Sequence, residues 1–283
     1  MASPLFGDAE PTHYDDVVGV ELTIDGMLVV ADLLHLVDFP LALAIRPNIP
    51  YDEQRKVVWE QVTRDLTAQG ILTAYGDPHP EVAAMVDALS RPDRTLDCRW
   101  WRRDRDGKMV RFVVCRKGDR HVVAARDEDM LVLQRVAPQV GLAAMVNVVI
   151  GTASPAPVEP LTGLVSKLAE TRTSDQLGAY GQPPLSAKIY AEAIATPDSW
   201  VEITATERHS GGTYSQASVG AGVLDSAHGR IVSIPRQVGN DLYGSFLPGT
   251  QANLQRALDG LIEFLPSKTW FEQTGALDNS LAD

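Results

Sequence analysis

The secondary structure predicted for this chain of 283 residues occurs twice in the same order. Each half begins with helical segments, continues with strands that alternate apolar and polar residues, and ends with one amphipathic helix. Short hairpin connections between such strands favour antiparallel pairing. A Pro-rich segment, residues 152–163, separates an N-terminal half, residues 1–151, from a C-terminal half, residues 164–283, and its composition is typical of a linker. We therefore expect an α+β fold, with one twisted antiparallel sheet built from both halves and a helical bundle from each.

Several predicted helices carry recognisable residues at their ends. Thr23 or Asp25 can cap the first helix, and Gly70 lies just past the end of the second. Thr250 is the predicted N-cap of the last helix, which presents leucines to the core at helical spacing.

The segment CRWWRRDRDGKMVRFVVCRKGDR, residues 98–120, reads as a hairpin with a two-residue turn at Asp106–Gly107. The register of such a turn places Cys98 directly opposite Cys115. A redox pair or half of a metal site is one interpretation. Two small half-buried side chains on paired strands is the other, and we favour it because there is no CxxC motif and His121 is the only histidine nearby.

The same register places Arg102 opposite Arg111, with Trp100 and Val113 beside them. Like charges directly across a ladder are unfavourable, so an acidic group from the chain itself or from a partner is expected there. Arginines among aromatic residues also resemble a single-stranded nucleic-acid groove. A protein partner is the favoured interpretation of this hairpin.

Charge supports that choice. The net charge is −12, which argues against a protein that binds mainly phosphate backbone. Residues 91–126 hold twelve Lys and Arg against five Asp, a net of +7, so the remainder carries −19.

The N-terminus lacks the pattern of a secretory signal, the apolar runs are short, and there are only two cysteines, so we expect a cytoplasmic protein that does not bind membranes.

Catalytic motifs are weak. Asp225, Ser226 and His228 lie within four residues of one predicted turn, where they cannot converge as a hydrolytic triad. A glycine pair at Gly220 lies within a strand pattern and opens no helix, so it is not a dinucleotide fingerprint. The six histidines show no ligand spacing. We therefore expect no catalytic residues, no bound metal and no cofactor.

The C-terminal half carries three motifs in order: D-x-x-x-GR at 225–230, SFxPGT at 245–250 and LPxxxWF at 265–271. With these motifs, and with the segments 18–50 and 99–127 of the N-terminal half, the chain resembles the EspG family over nearly its whole length. EspG proteins are cytoplasmic chaperones of the mycobacterial type VII (ESX) secretion systems. Within the family, the N-terminal segments look most like the member that serves the first ESX system.

This resemblance implies a non-enzymatic role. Family members bind PE–PPE heterodimers by the helical tip of the PPE subunit, keep them soluble and direct them to the cognate secretion system. They contact the tip with the sheet and the C-terminal bundle. The family fold is a central antiparallel sheet with two helical bundles in quasi-twofold arrangement. The resemblance leaves weak self-association open.

No short family motif fixes the contact residues, so the candidate site follows from strand faces. In GRIVSIPR one face of the strand carries two apolar side chains between two arginines, a composition that fits an apolar tip with a polar rim. A strand covered by the protein's own helix is the alternative. A nucleic-acid-binding regulator that uses residues 98–120, or a small-molecule hydrolase, is the alternative function. The residues predicted to contact a partner are Arg230, Val232, Ile234, Arg236, Arg102, Arg111 and Val113.

Overall fold

The computed structural model describes residues 18–49, 51–106 and 108–271. The elements of the N-terminal half follow the predicted order. They are β1 (Gly19–Thr23), α1 (Ile24–Leu33), a 3-10 helix (Leu41–Leu43), α2 (Asp52–Ala68), α3 (Pro80–Ser90), β2 (Arg94–Arg102), a second 3-10 helix (Arg103–Arg105), β3 (Met109–Lys117), β4 (Arg120–Asp127), β5 (Met130–Val136) and α4 (Leu142–Ile150).

The C-terminal half repeats this order with shorter opening helices. Its elements are β6 (Leu161–Leu164), α5 (Val165–Leu168), α6 (Ser174–Gly178), α7 (Pro184–Ala195), β7 (Ser199–Arg208), β8 (Tyr214–Gln216), β9 (Ala221–Ser226), β10 (Gly229–Val238), β11 (Asp241–Pro248) and α8 (Gln251–Ile262).

Both halves contribute to one antiparallel sheet. Across the described residues its strand order is β1-β5-β4-β3-β2-β7-β9-β10-β11-β6, with β8 paired to β7 beside this path. The two halves meet where β2 pairs with β7, and Cys98 lies opposite Ile203 near the middle of that pair. Reading outward from this junction, each half presents its strands in the same order, so an approximate twofold axis passes through the β2–β7 pair. The predicted α+β fold with one shared sheet is confirmed.

Helices cover the two faces of the sheet differently. On one face α4 and α8 pack side by side over a core to which strands of both halves contribute. On the other face each half packs its own helices: α1, α2 and α3 cover the N-terminal strands, and α5, α6 and α7 cover the C-terminal strands. Alternation along each strand supplies apolar side chains to both layers, as a sheet covered on two faces requires.

The predicted helix ends are confirmed. The Thr23 side chain accepts a hydrogen bond from the Gly26 N–H at 2.9 Å, so Thr23 and not Asp25 caps α1. Thr250 accepts from the Asn253 N–H at 3.1 Å. Gly70 follows α2 with a φ of 74°, a left-handed conformation that favours glycine.

The hairpin register is a correction. Cys98 lies opposite Phe112, and Cys115 lies opposite Thr95, so the thiols are not paired. The connection from Arg102 to Met109 is longer than a two-residue turn because a 3-10 helix fills it, and Asp106 alone shows the left-handed φ of 50°. Gly107, the other half of the predicted turn, lies outside the described residues.

The observed β2–β3 register differs from the predicted one by three residues. Each β2 side chain therefore lies on the face of the sheet opposite to the predicted one. Cys98 and Trp100 now share the α4–α8 core with Phe112, whereas Cys115 lies in the core of the N-terminal bundle. Both cysteines are free and fully buried. They lie on opposite faces of the sheet, so neither a cross-strand bridge nor a shared metal site is compatible with this geometry.

The predicted linker packs against the sheet. Arg230 and the segment around Pro155 exchange backbone hydrogen bonds, with Ala156 N–H donating to the Arg230 carbonyl and Arg230 N–H donating to the Ser154 carbonyl. Ala156 and Val158 are buried, and the segment ends in the edge strand β6. No helix in the described parts of the chain is long and apolar enough to cross a membrane.

Candidate partner-binding surface

The face of β10 that the sequence put forward is covered by α8. Val232 is 0% exposed in the core beneath α4 and α8, and Ile234 is half-buried against the same core. Arg236 is exposed at the end of the strand. The alternative that the sequence left open, a strand covered by the protein's own helix, is therefore correct for Val232, which a partner cannot reach in this structure.

Arg230 is an internal residue with a structural role. Its side chain is 3% exposed and forms an ion pair with Asp225, with Nε at 2.7 Å from Oδ1. The guanidinium also donates to the Gly151 carbonyl at 2.8 Å and to the Ile150 carbonyl at 3.4 Å. These carbonyls end α4, where a cation is favoured by the helix dipole. Arg230 therefore ties strand β10 to the end of α4 and faces no solvent.

The three candidate residues of the hairpin, Arg102, Arg111 and Val113, also differ in accessibility. Val113 is fully buried in the N-terminal bundle core. Arg102 is half-buried, stacks on the Trp100 ring at 4.8 Å from the ring centroid, and donates to Asp104 at 2.6 and 3.0 Å. Arg111 does not face Arg102, because its cross-strand neighbours are Arg99 on β2 and Arg126 on β4. Of these three residues only Arg111 lies on an accessible face between the bundles.

Two rows of side chains cross the middle of the sheet on the face opposite α4 and α8. The first row joins β7, β2 and β3 through Trp200, Trp101 and Met109. The second row lies two residues further along the same strands and consists of the charged residues Glu202, Arg99 and Arg111. We call this area the central surface, defined by Arg99, Trp101, Met109, Arg111, Trp200 and Glu202.

The central surface lies between the two bundles. In the described structure neither bundle core contains a residue of β2 or β7. Trp101 and Trp200 are half-buried and stack with ring centroids 6.4 Å apart. Arg99 and Glu202 form an exposed ion pair at 4.0 Å, with side chains 60% and 55% exposed. A half-buried aromatic pair beside exposed charges is the composition of a protein-binding surface.

The carboxyl group of Asp97 lies at one end of the central surface. Asp97 is half-buried next to Arg99 and accepts a hydrogen bond from the Thr206 hydroxyl at 3.0 Å. Burial raises the pKa of Asp97, and the Thr206 hydrogen bond and the Arg99 charge oppose that rise. Asp97 therefore adds to the β2–β7 floor, beside the aromatic pair, a carboxyl group that holds its proton more readily than an exposed one does.

Backbone carbonyl groups compensate the like charges of Arg111 and Arg126, which lie opposite each other on β3 and β4. Arg126 donates to the carbonyls of Leu43 and Ala44 at the end of the first 3-10 helix, and Arg111 donates to the Ala42 carbonyl at 3.3 Å. These carbonyl groups accept from both arginines, but the one 3.3 Å bond that Arg111 makes to the described residues leaves donors for the acidic group that the sequence predicts there.

The Asp225–His228 turn does not bring its side chains together. Ser226 donates to the Gly229 carbonyl at 3.2 Å, and His228 bonds Glu192 at 2.6 Å. Asp225 pairs with Arg230. The three side chains therefore face different partners, and no relay of the triad type exists in this turn. Within the described residues no group of three or more His, Cys, Asp and Glu side chains is placed to hold a metal ion.

Sequence reasoning missed Trp200 and Arg99 as surface residues. Their juxtaposition depends on the β2–β7 pair, which joins strands about one hundred residues apart in the chain, Arg99 lying opposite Glu202 and Trp101 opposite Trp200. The one available signal was the alternation in SWVEITATER, which places Trp200 and Glu202 on the face opposite the buried Val201 and Ile203.

Comparison with known proteins agrees with this architecture. The model of the EspG family matches residues 23–260. The chain belongs to the EspG family. It is 66% identical over 280 residues to the ESX-1 secretion-associated protein EspG1 of Mycolicibacterium smegmatis, covering 99% of each chain. Identity to the EspG1 protein of Mycobacterium tuberculosis is also 66%, over 260 residues and 92% of each chain.

More distant EspG proteins share the fold. The ESX-3 secretion-associated protein EspG3 of M. smegmatis is 27% identical over 265 residues, with 89% of each chain covered. A solved structure of the M. tuberculosis type VII secretion chaperone EspG5, in complex with the PE25–PPE41 dimer, superposes with a TM-score of 0.71. At 17% identity, with 89% of this chain and 98% of that chain covered, this likeness shows that the two chains have the same fold.

Proposed function

We propose that this EspG protein is a cytoplasmic chaperone of type VII (ESX) secretion. It binds a PE–PPE heterodimer, contacts the helical tip of the PPE subunit, keeps the pair soluble and directs it to its cognate secretion system. Membership of the family supports the secretion role, and the relative captured with a PE–PPE pair supports the class of partner. The protein acts by binding and not by catalysis.

The central surface is the docking site in this proposal. The observation that carries it is the half-buried Trp101–Trp200 pair on the only stretch of the described sheet face that lies between the two bundles. Tryptophan and arginine are the residue types that most often dominate binding energy, and both occur here. Arg111 is retained from the residues predicted by sequence, whereas Arg102, Ile234 and Arg236 lie on strand positions that alternate to the other face.

Co-purification tests the function. Tagged protein co-expressed with a PE–PPE pair should capture both subunits at a 1:1:1 ratio. Absence of capture, together with a salt-sensitive shift of a nucleic-acid probe, would support the nucleic-acid alternative. The acidic net charge of −12 makes that second result the unexpected one.

Substitution of the tryptophans tests the site. Trp200→Ala should weaken capture of the PE–PPE pair by about thirtyfold or more, since a central aromatic anchor is worth about 2 kcal/mol or more. Tyr75→Ala is the matched control, because Tyr75 is 94% exposed in the loop after α2 and belongs to neither row of the central surface. Equal capture by folded Trp200→Ala and Tyr75→Ala proteins would exclude the central surface as the docking site while leaving the chaperone function untouched.

A further inference from the structure

The charged row of the central surface leads to an open pocket. From β7 to β4 it runs through Glu202, Arg99, Arg111 and Arg126, each opposite the next across a neighbouring strand. Beside β3 and β4, the loop that follows the first 3-10 helix borders an open pocket of about 450 Å³. Three arginines line this space, Arg46 from the loop with Arg111 and Arg126 from the sheet, and we call it the arginine pocket.

The arginines of the pocket have more donors than partners. Arg126 is committed to carbonyl groups of Leu43, Ala44 and Glu128. Arg111 has five N–H donors and makes one long hydrogen bond to the described residues, to the Ala42 carbonyl at 3.3 Å. Arg46 is exposed and makes no hydrogen bond or ion pair with the described residues.

Two carboxylates lie near the pocket, and both have other partners. Glu128 at the rim is held by Lys108, and Asp129 accepts a weak hydrogen bond from the Asn48 side chain at 3.4 Å. Burial lowers the pKa of Arg126; Asp129 opposes that lowering, and Arg111 adds to it. The Arg111 charge is therefore felt inside the pocket, together with an opposing contribution from Asp129.

Apolar groups border the same space. Leu41 lines the pocket and is 91% exposed. Met109 lines it from the sheet and also belongs to the first row of the central surface, with Trp101 and Trp200. The pocket and the central surface are thus continuous through Met109 and Arg111. A ligand that fits both has an apolar body and an anionic side group.

We propose that the arginine pocket receives a carboxylate side chain of the partner segment that docks on the central surface. This inference rests on the proposed function and adds a chemical requirement to it: the partner's docking segment carries an Asp or Glu next to its apolar contact. The fork geometry of Arg111 suits bidentate recognition of a carboxylate. On a protein with a net charge of −12, such a local basic pocket also selects among acidic partners by attracting only the correctly oriented segment.

Binding of the PE–PPE pair by charge variants tests the proposal. Arg111→Gln should weaken binding by about tenfold or more, and Arg111→Lys by less, because lysine keeps the charge and loses the fork. Arg46→Glu should weaken it also, and because Arg46 is exposed and has no partner among the described residues this variant carries little risk to folding. Arg256→Glu on α8 is the control of equal charge change, and it should bind as wild type does.

Salt dependence separates this inference from the proposed function. Wild-type affinity measured at about 0.05 and 0.5 M salt should fall more steeply than that of the double variant Arg46→Glu, Arg111→Gln. If wild-type protein captures no PE–PPE pair, the proposed function fails. If wild-type protein captures the pair and the folded variants, matched to wild type by melting temperature, show the same affinity and the same salt slope, the function stands and the arginine pocket is not part of the interface.

Discussion

At the scale of single residues, Arg230 is a buried structural residue, although the sequence predicted it at the rim of a binding surface. Its guanidinium is buried against Asp225 and the carbonyls that end α4. We predict that Arg230→Ala lowers the free energy of unfolding by about 3–5 kcal/mol, because it leaves a partly buried carboxylate and two carbonyls without their partner. Arg236→Ala, on the same strand but exposed, should change it by about 0.5 kcal/mol or less. Urea unfolding measures both, and equal effects would contradict the assigned role of Arg230.

His121 gives the protein a dependence on pH. It is 1% exposed, and its Nε2 accepts a hydrogen bond from the Trp270 indole N–H at 3.0 Å, so that nitrogen carries no proton. Burial lowers the pKa of His121, and the Arg116 charge adds to that lowering while groups of Asp119 oppose it. The folded state therefore binds a proton less readily than the unfolded chain does.

The sign of the effect follows from that difference. A lowered folded-state pKa contributes stability that is present above the ordinary histidine pKa of about 6.5 and is lost as pH falls below it. We predict a loss of up to about 1.4 kcal/mol per pH unit in this range, measured by chemical unfolding between neutral and mildly acidic buffers. His121→Gln should reduce the slope, whereas His35→Asn, at an exposed position with a φ of 55° that asparagine tolerates, should leave it unchanged. An unaltered slope in His121→Gln would assign the acid sensitivity to other groups.

At the scale of elements, helix ends followed from sequence because their determinants are local. Thr23, Gly70 and Thr250 each act on backbone within three residues, and the structure places all three as predicted. The β2–β3 register did not follow. Arg103 donates to the Pro197 carbonyl and Arg105 pairs with Asp127, so contacts distant in sequence shape that connection and override the local turn preference.

The candidate site illustrates the same limit. The sequence identified the basic hairpin and Arg111, but it placed Arg111 opposite Arg102 because the register was shifted. Val232 fits an apolar surface strip as well as it fits a core, and only the position of α8 decides between them. Burial of a strand face depends on which helix returns over it, and that information is not contained in the strand's own alternation.

The cap of α8 carries a prediction at the element scale. Thr250 accepts from the Asn253 N–H, and the helix that it begins supplies Leu254, Leu258 and Leu261 to the shared core. Thr250→Ala should destabilise the protein by about 1 kcal/mol, because one N–H at the helix start loses its acceptor. Thr250→Ser keeps the hydroxyl and is the matched control. Thermal melting measures the difference, and equal melting temperatures of the two variants would mean that another group satisfies the helix start.

At the scale of the whole molecule, the repeated order of elements does not make two independent domains. The bundle cores belong to one half each, but the core under α4 and α8 draws on strands and helices of both halves. Trp270, at the end of the described chain, donates to His121 on β4, so the C-terminal half also closes on the N-terminal half there. The approximate twofold axis through the β2–β7 pair thus relates two parts that complete each other.

Separation of the halves tests this view. Residues 1–151 alone would expose the full edge of β2 and the face of α4 that packs on α8, and an uncovered apolar edge strand favours aggregation. We predict that residues 1–151 and residues 152–283 are each insoluble or partly unfolded when expressed alone, and that co-expression yields a soluble 1:1 complex. Circular dichroism and size-exclusion chromatography measure the outcome. A folded, monomeric fragment 1–151 would show that the halves are separate domains and that the shared core contributes little to stability.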